Sequence, residues 1–401
     1  MSGLAWLEAL GPQRIRPGLR RTRALLDALG SPDRSFRPVL VGGTNGKGST
    51  AAALSAILSH AGVRTGLYTS PHLVRVTERI RLGDADVSEA LLDDALALVA
   101  AASGPGERGP TYFEALTVAA LELFRRARVE VALIEVGIGG RLDATNVVEP
   151  DLSVLTNVGA DHLEILGPSL ADVAREKAGI FRGGLPALVG TEGTAPDAKA
   201  VLHAEAARLG VRLLEVPPSD RWSGVFPLPG AHQRQNVALA VAAARALAPL
   251  DDAAIAAGLA RTRWRGRLER VTRRGRRTLI LDGAHNADGA EALGRWLDAE
   301  GLSGRVDLLF GVLSDKDLPG IAGPLCARAR RIVLTAPPSP RAIPPDALKE
   351  RLGAAAAETA SSPEAALARL EAQGPGAAPV LVAGSLYLVG EVIRLLEGES
   401  G

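Results

Sequence analysis

"RPVLVGGTNGKGSTAAALSAILSHAG" (residues 37–62) joins an apolar run, a glycine-rich turn and an alanine-rich helical pattern. The apolar run predicts a strand, and the pattern after the turn predicts a helix that Gly62 closes. Such a turn gathers backbone N–H groups and a helix N-terminus around one point, which favours an anion. Lys47 occupies the lysine position of the phosphate-binding loop G-x-x-x-x-G-K-[ST]. The alternative, a purely structural turn, leaves Lys47 unexplained.

Gly48 distinguishes this loop from the usual phosphate-binding loop. The usual loop places its Mg²⁺-binding hydroxyl directly after the lysine, whereas here the hydroxyl comes one residue later, at Ser49. The ordinary position of the metal ligand therefore cannot be assumed, and metal ligands have to be sought elsewhere in the chain.

Apolar runs on both sides of a domain boundary predict two α/β domains. In the first part they alternate with helical patterns, and the strands are "VRTGLYTS" (63–70), "VEVALIEVG" (129–137) and "DLSVLTNVG" (151–159). Continuous apolar strands separated by helices predict a mostly parallel sheet covered on both faces. A second strand–helix series follows "RTRWRGRLERV" (261–271), with helices expected near 287–300, 345–354 and 386–397. We therefore expect domains at 1–263 and 264–401.

The bulk composition excludes several classes of protein. The net charge of +1 gives no reason to expect a nucleic-acid or acidic-membrane partner. Cys326 is the only cysteine, which rules out an intramolecular disulfide and a thiolate metal cluster. Neither a signal-peptide core nor an apolar run long enough to span a membrane is present in the sequence. These features predict a cytoplasmic protein, and we expect a monomer that acts on small molecules.

Lysine is rare in this chain. Only five of the 46 basic residues are lysines, namely Lys47, Lys177, Lys199, Lys316 and Lys349. Lysine is a compact charge whose amine can be modified, whereas the guanidinium of arginine is planar and stays charged. Lys199 and Lys349 lie in polar helical segments and are interpreted as surface residues. The other three fall in motifs, although for Lys177 a solvated helix charge is the alternative.

Polar residues stand at the ends of three predicted strands. Ser70 and His72 follow the second strand, Glu135 ends the third, and His162 follows the fourth. A carboxylate at the end of an apolar strand is costly unless it is paired or bound to a metal. Serine, glutamate and histidine at three strand ends could bind a hard cation. Phosphate groups and water would then complete the coordination shell of the cation. The alternatives are a Ser-Pro turn, an ion pair between Glu135 and Arg141, and a structural histidine.

Several segments together resemble the folylpolyglutamate synthase/dihydrofolate synthase family, which belongs to the Mur ligase superfamily. The resemblance runs from about residue 4 to 396, and the motifs come in the expected order. A loop with this extra glycine, here at position 48, is the form that the family uses. The segments are "VGGTNGKGST" (41–50), "YTSPHLVRVTERI" (68–80), "TYFE" (111–114), "EVGIGGRLDATN" (135–146), "TNVGADHLEILG" (156–167), "REKAGIFR" (175–182) and "LDGAHN" (281–286).

The resemblance implies a fold and a reaction. The fold would be α/β, with a Mur-ligase-like phosphate-loop domain that binds ATP and folate, and a smaller Rossmann-like C-terminal glutamate-ligase domain. The reaction would be ATP-dependent ligation of L-glutamate to dihydropteroate, to reduced folate (poly)glutamates, or to both, through an acyl phosphate. ATP and Mg²⁺, with two ions expected, would be required.

Two other functions are considered. A Mur-type peptidoglycan ligase would share the fold and the chemistry, but Gly48 and the segments "TSPHL" and "GGRLDATN" resemble the folate branch. A GTP-dependent switch would need a guanine-reading N-K-x-D motif, and the sequence contains none.

The resemblance also implies roles for individual residues. Lys47, Lys177 and His162 would be catalytic, and Lys177 corresponds to a lysine that many relatives carry as N6-carboxylysine, near the second magnesium ion. Magnesium ligands would be Ser70, Glu135 and His162. ATP contacts from both domains would be Thr44, Asn45, Gly46, Lys47, Gly48, Ser49, Asn236, Arg267 and Asp282.

Substrate contacts follow from the same resemblance. Phe113, in the pteroate-binding stretch, could stack against a pterin or aminobenzoyl ring, and a core aromatic residue is the alternative. The folate-side residues are Thr111, Tyr112, Phe113, Glu114, Arg141 and Asp143, and those near the incoming glutamate are Asp315, Lys316 and Ser385. Helix capping or a surface position is the alternative for Asn236, Arg267 and Asp282.

Overall fold

The computed structural model describes residues 1–12, 14–104, 109–374 and 376–398. The chain forms two compact units. The first unit comprises Met1–His72, Val76–Pro227 and Gln233–Arg263, and the second comprises Leu73–Arg75, Leu228–His232 and the chain from Trp264 onward. Two short segments thus leave the first unit for the second, and nothing in the sequence pattern indicated them.

An eight-stranded sheet forms the centre of the first unit, in the order β4-β3-β2-β5-β1-β6-β7-β8. The pairs are parallel except for β2–β3 and β3–β4, which form an antiparallel edge. The predicted mostly parallel sheet is therefore confirmed, and the edge strands are additions to it. The strands are β1 (Arg37–Gly42), β2 (Thr65–Tyr68), β3 (Ile80–Leu82), β4 (Ala85–Asp86), β5 (Val131–Glu135), β6 (Leu152–Leu155), β7 (Pro186–Gly190) and β8 (Arg212–Val216).

Helices cover both faces of this sheet. They are α1 (Gly3–Leu10), α2 (Arg20–Ala28), α3 (Lys47–His60), α4 (Glu89–Ala102), α5 (Tyr112–Arg126), α6 (Leu163–Leu166), α7 (Leu170–Ala178), α8 (Pro196–Leu209), α9 (Gln233–Leu247) and α10 (Asp252–Ala260). Helix α3 is buried at every residue from Gly48 to Leu58 and packs against α9 and α10. Its alanines allow this close packing. Gly258 of α10 contributes too, because a Cβ there would lie 2.6 Å from the Cα of Ile57.

The register of the central strands places several chain segments at one edge of the sheet. Val41 of β1 pairs with Glu135 of β5 and with Val154 of β6. Tyr68, at the end of β2, pairs with Ile134 of β5. Because these strands are parallel, the segments that follow them emerge together at the carboxyl edge, where open α/β sheets build their sites.

A six-stranded sheet forms the centre of the second unit, in the order β13-β12-β11-β14-β10-β9, and only β9 runs antiparallel to its neighbour. Apolar clusters lie on both of its faces. The strands are β9 (Glu269–Val271), β10 (Leu279–Leu281), β11 (Val306–Phe310), β12 (Ala329–Leu334), β13 (Glu358–Thr359) and β14 (Val380–Ala383), and the helices are α11 (Ala287–Ala299), α12 (Leu318–Cys326), α13 (Pro345–Arg351), α14 (Pro363–Glu371) and α15 (Leu386–Gly398). The three helices predicted for this part are confirmed as α11, α13 and α15.

None of the helices in the described ranges combines the length and the apolar character that a membrane crossing requires. The cytoplasmic location and the monomeric state stay predictions.

Candidate functional site

The loop between β1 and α3 has a shape that two glycines make possible. Gly43 (φ 139°) and Gly46 (φ 82°) adopt backbone conformations that side chains rarely take. A Cβ on Gly43 would lie 1.8 Å from the hydroxyl of Thr156, and a Cβ on Gly46 would lie 2.2 Å from Oδ1 of Asn236. The loop thus lies tightly between the end of β6 and the start of α9.

The segment after β6 holds the loop in place. Oδ1 of Asn157 accepts hydrogen bonds from the backbone N–H groups of Thr44 (3.2 Å) and Asn45 (2.9 Å). The hydroxyl of Thr44 accepts from the N–H of Gly159 (2.9 Å), and the hydroxyl of Thr156 donates to the carbonyl of Asn45 (2.6 Å). Thr44 and Asn45 were predicted as ATP contacts. In this structure these groups shape the loop.

Lys47 is the first residue of α3. Its Nζ donates to the carbonyl oxygens of Gly43 (3.1 Å) and Thr44 (3.0 Å), so the ammonium group folds back over the loop. The first turn of α3 contains no acidic residue. The positive end of the helix dipole and the lysine charge therefore act together, which suits a polyphosphate. The hydroxyl-bearing Ser49 is buried behind them.

Asn236 lies beside the loop, as predicted for an ATP contact. It is buried, its side chain lies against Gly46, and its Nδ2 donates to Oε1 of Gln233 (2.9 Å). Helix α9 begins at Gln233, so Asn236 lies within the first turn and is not its cap. The alternatives of a cap or a surface position are therefore wrong for Asn236.

Ser70 and Glu135 meet at the carboxyl edge of the sheet. Glu135 is 5% exposed, and its Oε2 accepts a hydrogen bond from the N–H of Ser70 (3.1 Å). The alternative partner, Arg141, instead binds Oε1 of Glu176 (2.6 Å) near the surface. The suggested ion pair between Glu135 and Arg141 is therefore wrong. A carboxylate in this position, next to a loop suited to phosphates, is an appropriate donor for a hard cation.

His162 and His72 lie on the segments that follow β6 and β2. His162 precedes α6 with a φ of 55°, and its Nδ1 is 3.7 Å from the carboxylate of Glu164. His72 accepts a hydrogen bond at Nδ1 from Nε of Arg79 (2.9 Å), and burial lowers its pKa to about 4. Across the described ranges no three His, Cys, Asp or Glu side chains are grouped as a metal site. Ser70, Glu135 and His162 as magnesium ligands remain a prediction.

Lys177 lies on α7 and is only 4% exposed. Burial, and secondarily the charge of Lys47, lowers its pKa to about 7. In the part of the chain that the structure describes, its amine has neither a hydrogen-bond nor an ion-pair partner. The alternative, a solvated helix charge, is therefore wrong. A large share of this amine is uncharged at neutral pH, which is unusual for lysine.

Glu114, which was predicted as a substrate contact, is engaged within the fold. It is buried, and together with Thr111 it forms a capping box at the start of α5. The Glu114 carboxylate accepts from the N–H of Thr111 (2.7 Å) and from the guanidinium of Arg21 (2.8 and 3.1 Å). Because its oxygens are engaged in this way, Glu114 positions α5 against α2. The neighbouring Tyr112 ring lies 5.5 Å below the guanidinium of Arg79.

Phe113 and Asp143 lie next to each other in the first unit, both beside Gly137. The Phe113 ring stacks on Tyr68 with centroids 6.0 Å apart. A Cβ on Gly137 would lie 2.9 Å from both Phe113 and Oδ2 of Asp143. Asp143 accepts hydrogen bonds from the N–H groups of Ile138 and Thr145 (3.0 Å each), yet burial raises its pKa. A half-buried aromatic wall beside a carboxylate suits a flat ring with N–H donors.

Arg267 and Asp282 come together in the second unit, and His232 joins them. Asp282 follows β10 and accepts from the N–H groups of Leu268 and Ala284 (2.9 Å each). A Cβ on Gly283 would lie 2.5 Å from Nη1 of Arg267. Burial lowers the pKa of His232, while the charge of Asp282 opposes this effect. Sequence reasoning missed His232, although it stands in the motif "GAHQRQN" that also holds Asn236.

The residues predicted near the incoming glutamate lie along the carboxyl edge of the second sheet. Asp315 and Lys316 follow β11, and Ser385 follows the neighbouring β14, whose Ala383 pairs with Phe310. Asp315 already accepts from Nη1 of Arg341 (2.9 Å), and the Ser385 hydroxyl accepts from the N–H of Tyr387 (3.2 Å). The structure thus places all three at one edge.

Comparison with known proteins identifies the family. Residues 41–187 match the Mur ligase middle domain, and residues 266–386 match the Mur ligase, glutamate ligase domain. The chain is 36% identical to the folylpolyglutamate synthase of Lacticaseibacillus casei, over 94% of each chain. The chain belongs to the folylpolyglutamate synthase/dihydrofolate synthase family. It is therefore an ATP-dependent ligase, and the resemblance of its motifs is confirmed.

Solved structures of this ligase family share the fold. The E. coli FolC structure in complex with DHPP and ADP is 32% identical, has a TM-score of 0.89, and covers 100% of this chain and 99% of its own. The bifunctional folylpolyglutamate synthase/dihydrofolate synthase of Yersinia pestis, complexed with AMPPNP and a Mn ion, is 35% identical with a TM-score of 0.87, over 99% and 98% of the chains. The predicted two-domain Mur-ligase-like α/β fold is confirmed, and a peptidoglycan ligase or a GTP switch is not supported.

Proposed function

We propose that this ligase joins L-glutamate both to dihydropteroate and to the glutamate chain of reduced folates. The observation that carries the proposal is the meeting of the phosphate loop, Glu135 and Lys177 at one sheet edge, where the charge of Lys47 reaches Lys177. The γ-phosphoryl group of ATP would pass to the acceptor carboxylate, giving an acyl phosphate. The amine of glutamate then attacks the acyl carbon, an amide bond forms, the amine loses a proton, and phosphate leaves.

Lys47 and the start of α3 would stabilise the phosphoryl group during its transfer. Negative charge spreads over its oxygens during transfer, and catalysis of this kind is mainly electrostatic stabilisation and positioning. The loop carbonyls that hold Nζ of Lys47 keep the ammonium above the loop. No nucleophilic side chain is required for this chemistry.

Ser70, Glu135 and His162 would hold a divalent metal ion, and Mg²⁺ is the expected physiological ion. The donor set of hydroxyl, carboxylate and imidazole accepts Mg²⁺ or Mn²⁺, and the Yersinia pestis relative was solved with Mn. When bound, the ion offsets the charge of the phosphates. The backbone hydrogen bond from Ser70 to Glu135 would keep two of these ligands together.

Lys177 would carry a carbamate. Its amine is buried, has a pKa near 7 and lacks a partner in the described part of the chain. The neutral amine would attack CO₂, forming an N–C bond and releasing one proton, and the product is a carboxylate-like group facing the charge of Lys47. ¹³C NMR of protein equilibrated with ¹³CO₂ tests this step. A carbamate signal that is absent from Lys177→Met supports it, whereas an unmodified amine at saturating ¹³CO₂ contradicts it.

The remaining predicted contacts would divide between the substrates. Phe113 and Asp143 would face the ring of the folate, while Arg141, which extends from the same segment, would face its negatively charged end. Asn236 in the first unit, and Arg267, Asp282 and His232 in the second, would contact ATP. The glutamate would lie near Asp315, Lys316 and Ser385.

One assay tests the proposed function. ATP- and glutamate-dependent phosphate release is measured in parallel with dihydropteroate and with tetrahydrofolate as acceptors, and products are identified by mass. We expect one added glutamyl unit with the first acceptor and a γ-glutamyl chain with the second. Activity with one acceptor alone would reduce the proposal to a single-function enzyme, and activity with neither would overturn it.

A further inference from the structure

A cavity of about 760 Å³ lies at the amino edge of the eight-stranded sheet, the edge opposite Lys47 and Glu135. Arg37 opens β1, Val131 opens β5, and Arg64 directly precedes β2, so the cavity spans the starts of three adjacent strands. Its volume is within the range of small-molecule sites. The arginines that line it are Arg34, Arg37, Arg64, Arg125 and Arg128.

The acidic residues around this arginine cavity neutralise only part of its charge. Arg37 pairs with Asp151 (2.7 Å), Arg125 with Glu122 (2.7 Å), and Arg64 with Glu130 (3.5 Å). Arg34 and Arg128 have no carboxylate partner among the residues that the structure describes. The cavity therefore brings together two guanidinium groups without a carboxylate partner in the described chain and three that are paired, all five on exposed residues.

Arg128 adopts a backbone conformation that favours glycine. Its φ is 53°, directly after the end of α5, a position where helices commonly have glycine. The turn is held by a hydrogen bond from the Arg128 N–H to the Arg125 carbonyl (3.1 Å), and Nε of Arg64 donates to the Arg128 carbonyl (2.8 Å). A charged side chain at a strained position that also lines a cavity motivates the hypothesis that it serves a ligand.

Apolar side chains complete the wall of the arginine cavity. Phe36, Leu58, Val63 and Leu247 line it between the guanidinium groups. A ligand that fits would carry carboxylate or phosphate groups, since arginine binds both in the same fork geometry. The competing explanation is that these arginines only offset the negative ends of α3, α5 and α9, which lie at this edge.

We propose that the arginine cavity binds a small polyanion with two or more carboxylate or phosphate groups. The site is separate from the candidate active site and does not depend on which acceptor the enzyme uses. A polyphosphate and a γ-linked glutamate chain share this chemistry, so both are used as probes.

Calorimetric titration with inorganic tripolyphosphate and with tetra-γ-glutamate, in Mg²⁺-free buffer, tests the proposal. Lys47→Ala removes the main cation of the phosphate loop, and binding that persists in this variant is assigned to another site. In that background we expect Arg34→Ala and Arg128→Gly each to weaken binding roughly tenfold or more, because each removes a charge-assisted hydrogen bond. Arg128→Lys should keep only part of the affinity, because it retains the charge and loses the forked donor geometry. Arg208→Ala, an exposed arginine of α8, should keep all of it.

The outcomes separate the alternatives. Binding of one probe or of both, lost in the Arg34 and Arg128 variants, supports the site and identifies the anionic group. Arg128→Gly suits the positive φ, so its thermal unfolding should match or exceed that of the parent, and misfolding does not explain a loss of binding. Absence of saturable binding of either probe, or binding that both variants leave unchanged, overturns the proposal and leaves the arginines with a purely structural role.

Discussion

The carboxyl edges of the two sheets differ in how their charged groups are balanced. At the edge of the second sheet, Asp282, Asn286 and Ser385 accept hydrogen bonds from backbone N–H groups of their own turns. At the edge of the first sheet, Lys177 keeps a buried amine without a partner in the described chain, and the first turn of α3 lacks an acid to balance Lys47. The first edge thus carries positive charge that no acidic residue in the first turn of α3 balances.

This difference has an energetic consequence. A buried, unpaired amine opposes folding, whereas a satisfied capping carboxylate stabilises it. Removing charged groups from the first edge should therefore reduce activity and leave stability intact or higher. Removing the polar groups of the second edge should reduce stability.

The largest effect is expected for Lys47→Ala. Loss of charge at the transferring phosphoryl group should lower turnover roughly 100-fold or more, with little change in thermal unfolding. Phosphate release under saturating ATP measures it, and Lys199→Ala on α8 is the control. Near-normal ligation by the Lys47 variant would show that the first edge does not serve ATP.

Glu135→Ala should act through the metal ion. We expect the Mg²⁺ concentration for half-maximal activity to rise roughly 10- to 100-fold, because loss of a group that supports metal binding weakens metal affinity by about this factor. A Mg²⁺ titration of initial rates measures the change. If the titration curve does not move, Glu135 is a structural residue like those of the second edge.

Lys177→Met should lower activity roughly tenfold, by removing a charge that supports the metal site, and should raise stability at pH 7. The amine pKa is 10.5 in the unfolded chain and about 7 in the folded one. As pH falls from 10.5 to 7, the unfolded chain takes up a proton that the folded amine does not, so wild-type stability falls relative to the variant. Below pH 7 the difference should be constant. Denaturant unfolding in CO₂-free buffer from pH 7 to 10.5 checks the sign, and an opposite slope would contradict the burial of a neutral amine.

Asp282→Ala should have the smallest effect on turnover, should raise the KM for ATP because Asp282 is a proposed ATP contact, and should lower stability. The N–H groups of Leu268 and Ala284 would lose their acceptor, at about 1–3 kcal/mol for an unsatisfied buried donor. Chemical unfolding measures the loss, with Glu350→Ala, an exposed glutamate of α13, as the control. An unchanged KM for ATP would contradict the proposed ATP contact, and undiminished stability would contradict the role of Asp282 in holding its turn.

The sequence predicted the fold and the centre of the candidate site for identifiable reasons. Continuous apolar strands and the glycine-rich turn are local signals, so the parallel sheet, the loop and the position of Glu135 could be predicted. The rarity of lysine pointed to Lys177, whose burial the structure then shows. The capping role of Glu114 could also have been predicted from the sequence, because T-x-x-E at residues 111–114 is a capping-box pattern.

Other features have no local signal. Asn157 resembles any asparagine at a strand end, and only its hydrogen bonds to the loop reveal its role. Arg21 and Glu114 are far apart in the chain, so their ion pair depends on how α2 and α5 pack. The arginine cavity likewise draws on residues from five separate segments, and in a chain with so many arginines no single one of them stands out.

The burial of α3 from Gly48 to Leu58 has a consequence for motion. A helix enclosed by a sheet and two other helices exchanges its backbone amide hydrogens only when much of the first unit opens. The amides from Ala51 to Leu58 should therefore exchange among the slowest of this unit. The loop from Gly43 to Gly46 is anchored at one end on this slowly exchanging helix. Any motion of the loop therefore involves the glycines before Lys47, while the backbone of Lys47 itself stays in place.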